Sequence, residues 1–157
     1  AELFLRFNET ELRTQIELIL NEFTRQQLVK SESEVFKINP AHLRSLQLHS
    51  NGVRELLQRY FIGLNILLDR PEISRGELEK ESRSIAQRLS VLHGINAPEF
   101  FDKALFSTFT SALKVEGYFD SEGKANKAKI EAIEDLISSL ISAEIKMTIS
   151  SAVKSIE

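Results

Sequence analysis

The sequence predicts a mostly α-helical, multi-helix domain with two small β-hairpins and winged-helix-like elements. Apolar residues recur at helical spacing over most of the chain. Three short patterns have the form of helix starts, and two polar turns lie between short β-prone runs. The 157 residues fit a single domain, 1–157, with a subdivision into 1–70 and 71–157 as the alternative. A chain of this length can bury a core large enough to fold without disulfide bonds, and it contains no cysteine.

The helix starts share one pattern. An apolar residue precedes Asn or Ser, and Glu follows three residues after that polar residue. The pattern is typical of a capping box with a hydrophobic staple, in which side chain and backbone exchange hydrogen bonds. It predicts helix starts at Asn8, Ser74 and Asn96. The pair Asn39-Pro40 predicts a fourth start, because Asn suits the cap and Pro suits the first helical position.

The first helix is predicted from about Glu9 to Gln27, with one apolar face. Its expected buried residues are Leu12, Ile16, Ile19, Leu20 and Phe23. The segment "LVKSESEVFKIN" then predicts the first hairpin, with Leu28–Val29 and Val35–Ile38 as strands around the polar residues Ser31–Glu34.

A long helix is predicted from Asn39 to Leu68. Its apolar residues alternate steps of three and four over more than three heptads, and Gly52 lies inside this helix as a candidate for a bend or a break. This seam consists of Leu43, Leu46, Ser50, Val53, Leu57, Tyr60, Leu64 and Leu67. A buried helix of a bundle is the favoured interpretation, because Leu48, Leu56, Phe61 and Leu68 widen the apolar face. A dimerising coiled coil is the alternative.

Three further elements follow. A helix from Ser74 to Gly94 has an expected apolar face of Leu78, Ile85, Leu89 and Leu92. A helix from Asn96 to Gly117 has the expected buried residues Phe100, Phe101, Leu105, Phe109, Ala112 and Leu113, and Phe106 adds another ring. The residues Tyr118–Gly123 predict the second hairpin.

The last helix is predicted from about Asn126 to Ser155. Its expected buried residues are Ile130, Ile133, Ile137, Leu140 and Ile141. Its later part, "AEIKMTISSAVKSI", is richer in β-branched residues, which weakens the helix prediction there.

Composition limits the possible functions. The net charge of −3 and the pI near 5.7 argue mildly against a nucleic-acid partner. The longest dense apolar run, Tyr60–Leu68, is less than half of the roughly 20 residues that span a bilayer, and no signal peptide is visible. We therefore expect the fragment to be soluble. The chain begins with Ala1 inside "AELFLRF", so we expect a piece of a longer polypeptide.

No catalytic, metal or cofactor motif emerges from the residues. The three histidines lack the ligand spacing of a metal site, and no serine lies in a G-x-S-x-G turn. His93 stands near Glu99 and Asp102 in "AQRLSVLHGINAPEFFDKALF", which invites an active-site interpretation. A corner between two helices explains the same residues better, because His93 suits a helix C-terminus and Glu99 belongs to the predicted capping box.

The winged-helix elements leave DNA binding as a remote alternative. The reader helix would be 99–116, which offers four phenylalanines and few groups that could contact phosphates or bases. We expect no nucleic-acid partner.

The stretch "EISRGELEKESRSIAQRLSVLHGINAPEFFDKALF" resembles the C-terminal region of the bacterial membrane-bound glycerol-3-phosphate acyltransferases. Its segment "QRLSVLHGINAPEFFDK" is the most specific part. "INPAHLRSLQL" and "EIKMTISS" are similar to that family too, so the resemblance covers the whole chain.

The resemblance implies a parent enzyme that transfers an acyl group from acyl carrier protein or coenzyme A to the 1-hydroxyl of glycerol 3-phosphate. This is the first step of phospholipid synthesis, at the cytoplasmic face of the inner membrane. The family's catalytic signature is a histidine with an aspartate five positions later. Here the residues five positions after His42, His49 and His93 are Gln, Arg and Pro. We therefore expect a non-catalytic C-terminal domain, without activity by itself.

Two roles for such a domain remain open. It either supports the upstream catalytic domain of the same polypeptide by packing or oligomerisation, or it docks to acyl carrier protein or to an anionic membrane surface. Docking to an acidic partner needs a basic patch. Lys80, Arg83 and Arg88, on the polar face of the predicted helix 74–94, are the candidates. A solvated helix face is the alternative for these three residues.

Overall fold

A computed structural model describes residues 9–33, 35–95 and 97–155. They divide into two compact units, 1–53 and 54–157. The first unit contains α1 (Glu9–Arg25), β1 (Val29–Glu32), β2 (Val35–Ile38), a 3₁₀ turn (Pro40–His42) and the start of α2 (Leu43–Asp69). The second contains the rest of α2, α3 (Arg75–His93), a 3₁₀ turn (Pro98–Phe101), α4 (Lys103–Val115), α5 (Lys127–Ser138) and α6 (Ala143–Lys154). The mostly α fold class is confirmed; the winged-helix likeness and the domain division stay predictions.

The first unit is organised around its hairpin. Strands β1 and β2 pair antiparallel, with Val29 opposite Ile38. The Leu28 amide donates to the Phe23 carbonyl over 2.8 Å, so the hairpin follows directly from the end of α1. The Asn39 side chain donates to the Gln27 carbonyl over 2.7 Å and accepts from the Ala41 amide. The first hairpin and the helix start at Asn39 are both confirmed.

Helix α1 differs from the prediction in two respects. It ends at Arg25 rather than Gln27, because Gln27 adopts a left-handed φ of 59°. The prediction of a buried face is wrong for Leu12, Ile16 and Ile19, which are each about half exposed. The physical reason is size: two strands of four residues are too short to cover a helix of 17. The predicted cap Asn8 lies outside the described residues.

Helix α2 runs without interruption through Gly52. In the second unit it is buried on several sides. Its buried residues there are Gln58, Arg59, Phe61, Ile62, Gly63, Leu64, Ile66 and Leu67. This breadth confirms the interpretation of a buried helix for the C-terminal half of α2. In the first unit Leu43, Leu48 and Val53 are exposed.

Two side-chain arrangements pack α2 into the second unit. Gly63 lies under the ring of Phe109, which also stacks on Tyr60 with ring centroids 4.5 Å apart. The Asn65 amide donates to Glu134 over 3.3 Å and its carbonyl oxygen accepts from the Ser150 hydroxyl over 3.3 Å. Asn65 therefore joins α2 to both α5 and α6.

Helix α3 begins and ends as the sequence predicts. The Ser74 hydroxyl accepts from the Glu77 amide, and the Glu77 carboxylate accepts from the Ser74 amide and hydroxyl. Gly94 closes the helix in the left-handed conformation, with φ 62°. Leu78, Ile85 and Leu89 are buried.

Helix α4 starts later than predicted. The α-helix begins at Lys103, where Asp102 accepts from the Ala104 amide over 2.8 Å, and a 3₁₀ turn replaces its expected first turns. The extended backbone of Asp102 separates the two. The predicted cap Asn96 lies outside the described residues. The buried residues of this segment are Phe100, Phe106, Phe109, Thr110 and Leu113; the predicted Phe101, Leu105 and Ala112 are partly exposed.

The second hairpin is a single bridge between Phe119 and Ala125, closed by a turn in which Asp120 accepts from two amides. The predicted single helix 126–155 is wrong, because a turn at 139–142 divides it into α5 and α6. The turn allows Ile137, Ile141 and Ile145 all to be buried. Ile130 is buried as predicted, Ile133 is partly exposed and Leu140 is exposed.

Candidate functional site

Helix α3 carries the three basic residues that the sequence singled out. Lys80, Arg83 and Arg88 are all exposed. No ion pair joins any of them to another residue in the part of the chain that the structure describes. Their spacing spreads them around the solvent side of the helix, so they form a broad basic face rather than one compact cluster.

An open groove of about 770 Å³ lies between α3 and α6. The α3 side repeats at helical spacing and consists of Ile85, Arg88, Leu89 and Leu92, with Gln87 and Val91 at its edge. The α6 side repeats in the same way and consists of Thr148, Ser151, Ala152 and Ser155. The groove therefore has an apolar α3 wall and an α6 wall of small side chains.

Two large aliphatic residues stand exposed at the groove. Val91 is 85% and Leu92 is 68% exposed. The prediction that Leu92 lies on the buried face of α3 is wrong, because the core contacts end three residues earlier, at Leu89. An exposed aliphatic pair beside a groove is typical of an interaction surface.

Basic residues flank the groove, and one acid, Glu144 at the start of α6, lies 3.7 Å from His93, the residue after Leu92. Among the residues that the structure describes, Arg88 is the only charged one in the groove lining. The sequence contains no Asp or Glu from Ser82 to Ile95 in α3 and just beyond it, and none from Ile145 to Ser155 in and after α6. The same stretches contain Arg83, Lys146 and Lys154. A partner that enters the groove therefore meets the positive charge of Arg88.

The stretch around His93 forms a corner between α3 and α4. Both the Gly94 and Ile95 amides donate to the Ser90 carbonyl, and the Ser90 hydroxyl donates to the Ile95 carbonyl over 2.8 Å. His93 Nδ1 lies 3.7 Å from the Glu144 carboxylate of α6. The hydrogen bonds that form the corner thus come from the backbone and the Ser90 hydroxyl, and the His93 side chain takes no part in them.

Two acidic residues of the corner, Glu99 and Asp102, influence the pKa of the buried Arg59. Burial lowers the pKa of Arg59, and the charges of Glu99 and Asp102 partly oppose that shift. Asp102 also caps α4. Asp102 therefore has a structural role as a helix cap, whereas the Glu99 side chain is exposed.

The other two histidines, His49 and His42, take part in packing and in a turn. His49 stacks on Phe23, with ring centroids 6.0 Å apart, and His42 ends the 3₁₀ turn before α2. Within the described residues no group of three His, Asp or Glu side chains could hold a metal ion. No described helix is long and apolar enough to cross a membrane.

The sequence analysis found the basic residues of α3 but missed the groove beside them. One signal was readable. Val91 follows Lys80, Ser84 and Gln87 along the polar line of the helix, at steps of four, three and four. A valine on that line is exposed once the opposite face packs. No local sequence pattern indicated the α6 wall, because the turn at 139–142 determines which residues of α6 face α3.

The comparisons with known proteins agree with one another. A family model described as the glycerol-3-phosphate acyltransferase C-terminal region matches residues 1–122. The glycerol-3-phosphate acyltransferase of Actinobacillus pleuropneumoniae serotype 3 (strain JL03) is 62% identical over 157 residues. The relatives with the same name from Glaesserella parasuis serovar 5 (strain SH0165) and Pasteurella multocida (strain Pm70) are 62% and 51% identical over 157 residues.

In each case the match covers 100% of this chain and 19% of the relative. The chain thus spans about a fifth of the length of these relatives. No solved structure matches it. The family model covers well over half of the chain, and the identities extend over all of it. This chain belongs to the family of glycerol-3-phosphate acyltransferase C-terminal regions.

Proposed function

We propose that this chain serves a glycerol-3-phosphate acyltransferase as a non-catalytic C-terminal domain. It supports the remaining polypeptide by packing against it or by oligomerisation, and that polypeptide transfers an acyl group to glycerol 3-phosphate at the cytoplasmic face of the bacterial inner membrane. The observation that carries the proposal is the match to the C-terminal region together with a span of 19% of the relatives. Most of each relative lies outside the matched region, which leaves ample room for a catalytic domain.

The histidines support a role without catalysis. None is followed by an aspartate five positions later. His49 packs on a phenylalanine, and His93 lies at a helix corner beside Glu144. A general base has to reach the proton that it removes, and neither histidine lines the groove between α3 and α6.

The test compares acyl transfer by three samples: the full acyltransferase polypeptide, the same polypeptide without these 157 residues, and the two pieces mixed. We expect loss of activity without the chain and recovery in the mixture. Full activity without the chain would contradict the supporting role. Activity of the 157 residues alone would contradict the non-catalytic assignment.

A second candidate function is docking to acyl carrier protein or to an anionic membrane surface through Lys80, Arg83 and Arg88. The exposure of all three residues favours it. Because exposed charges are screened by salt, such binding should weaken strongly between low and high ionic strength. Association that is insensitive to salt would favour packing instead.

A further inference from the structure

We propose that the groove between α3 and α6 holds an acidic amphipathic helix from the remaining part of the acyltransferase polypeptide. The inference rests on the proposed function, since it names the surface through which this chain would support its parent. Apolar residues of that helix would contact Leu92 and Val91, and its carboxylates would face Arg88.

The shape of the groove fits a helix. Both walls have lining residues at positions i, i+3, i+4 and i+7: Ile85, Arg88, Leu89 and Leu92 on α3, and Thr148, Ser151, Ala152 and Ser155 on α6 and its C-cap. On α3, Arg88 and Leu92 are exposed, whereas Ile85 and Leu89 are buried beneath them. An amphipathic helix in a groove is recognised through anchors at this same spacing. The small side chains of α6 allow the backbone of a third helix to approach closely.

The charges fit an acidic occupant. Among the described residues, Arg88 is the only charged one in the lining, and none of them forms an ion pair with it. The two stretches that flank the groove, 82–95 and 145–155, contain basic residues and no acids, while Glu144 directly precedes the second stretch and Glu157 follows it in the sequence. A second copy of this chain would bring the same basic surface, and like charges would oppose a symmetric pairing through it.

A membrane surface fits less well than a protein helix. Proteins at the bilayer interface commonly use Trp and Tyr as anchors. The chain has no Trp, and its two tyrosines, Tyr60 and Tyr118, are not in the groove lining.

The relatives are long enough to contain such a helix outside the region that matches this chain. This chain spans 19% of them, so most of such a polypeptide is available to cover the exposed pair Val91 and Leu92. Because that segment would be tethered to the chain, its effective concentration is high even if the contact by itself is weak.

Photocrosslinking in the full acyltransferase polypeptide tests the proposal. A benzophenone amino acid replaces Val91, and as a control it replaces Leu136, which is exposed on α5 and does not line the groove. We expect position 91 to crosslink to a peptide of the same polypeptide outside these 157 residues, with Asp or Glu within two turns of the linked residue. The yield should exceed that from position 136 at least fivefold.

Charge reversals sharpen the test. Arg88→Glu should lower the crosslink yield from position 91 at least fivefold, whereas Arg83→Glu should leave it within twofold, because Arg83 is exposed on the same helix but does not line the groove. Equal losses in both variants would overturn the assignment of Arg88.

The crosslinked product decides the occupant. A product between isotopically light and heavy copies of the polypeptide, with acyl carrier protein, or with lipid of anionic vesicles would overturn the proposal, as would a yield no higher than that of the control. If the crosslink is absent while deletion of the chain abolishes acyl transfer, the groove assignment fails and the supporting function stands. If deletion leaves acyl transfer intact, the supporting function fails.

Discussion

Ser74 and Glu77 fix the start of α3 by satisfying each other's hydrogen bonds. The Ser74 hydroxyl donates to the Glu77 carboxylate over 2.6 Å, and the Ser74 amide donates to it over 3.3 Å. These bonds, with the hydroxyl bond as the larger cause, lower the pKa of Glu77 below its usual value of 4.5. The ionised carboxylate is therefore the form that the capping box stabilises.

The capping box predicts a pH dependence. A lowered folded pKa means that Glu77 contributes stability above pH 4.5, and this contribution is lost as the pH falls through the folded pKa. Replacing Ser74 by Ala should return the Glu77 pKa toward 4.5 in a carboxyl NMR titration. The variant Ser84→Ala, at an exposed position within α3, serves as the control. An unchanged Glu77 pKa in Ser74→Ala would refute the reciprocal bond.

The cap also has a direct effect on stability. Loss of a serine N-cap costs typically about 1 kcal/mol. We expect Ser74→Ala to lower the midpoint of urea unfolding accordingly, while Ser84→Ala leaves it unchanged or raises it slightly, since Ala is the better helix former.

Gly63 is required by close packing. A Cβ added there would lie 2.8 Å from Cε1 of Phe109, while one added at Gly52 of the same helix would meet nothing within 4 Å. We expect Gly63→Ala to destabilise the protein by about 1–3 kcal/mol, because the ring must move in a packed core. Gly52→Ala should instead stabilise it by up to about 1 kcal/mol. Urea unfolding measures both; equal effects of the two variants would contradict the close approach.

At the scale of the element, α3 shows how sharply burial changes along one helix. Leu89 is 1% exposed and Leu92, less than one turn later, is 68% exposed. Both residues have the same chemistry. Their difference arises because the helix extends past the core at its C-terminal end, where it forms a wall of the groove.

This contrast gives a matched pair of variants. Leu89→Ala should lower the free energy of unfolding by about 2–5 kcal/mol, since it leaves a cavity. Leu92→Ala should change it by less than about 0.5 kcal/mol in the isolated 157-residue chain. Thermal unfolding provides the measurement. A large loss in Leu92→Ala would mean that another part of the chain covers this residue.

At the scale of the whole molecule, the apolar core is distributed unevenly between the two units. Among the buried apolar residues of the described chain, only Leu28 and Val29 belong to residues 1–53. All the others lie in 54–157. The second unit therefore holds most of the free energy that apolar burial supplies.

Hydrogen exchange should reflect this distribution. Amides of α1 and of the hairpin β1–β2 should exchange faster than those in the C-terminal half of α2 and the centre of α3, because regions with few buried apolar contacts open at lower free energy. Exchange measured by mass spectrometry on the isolated chain tests this. Comparable protection in both units would contradict it.

Local signals predicted much of the fold. The cap at Ser74, the stop at Gly94, the start at Asn39 and the first hairpin follow from residues that interact within a few positions of one another. The basic residues of α3 were likewise visible, because the exposed face of a helix can be read from its spacing.

The sequence by itself thus determined the helical class, most helix boundaries and the lack of a catalytic histidine–aspartate signature, because each depends on residue type and short spacing. Only the tertiary structure decided which part of an apolar face is buried. Leu89 and Leu92 have the same periodicity, as do Ile16 and Ile19 of α1, but burial depends on what packs against them. The turn that separates α5 from α6 also depends on tertiary packing, because it allows isoleucines of both helices to be buried in the core. The groove of α3 and α6 joins walls about 60 residues apart in the chain, and no local pattern specifies that pairing.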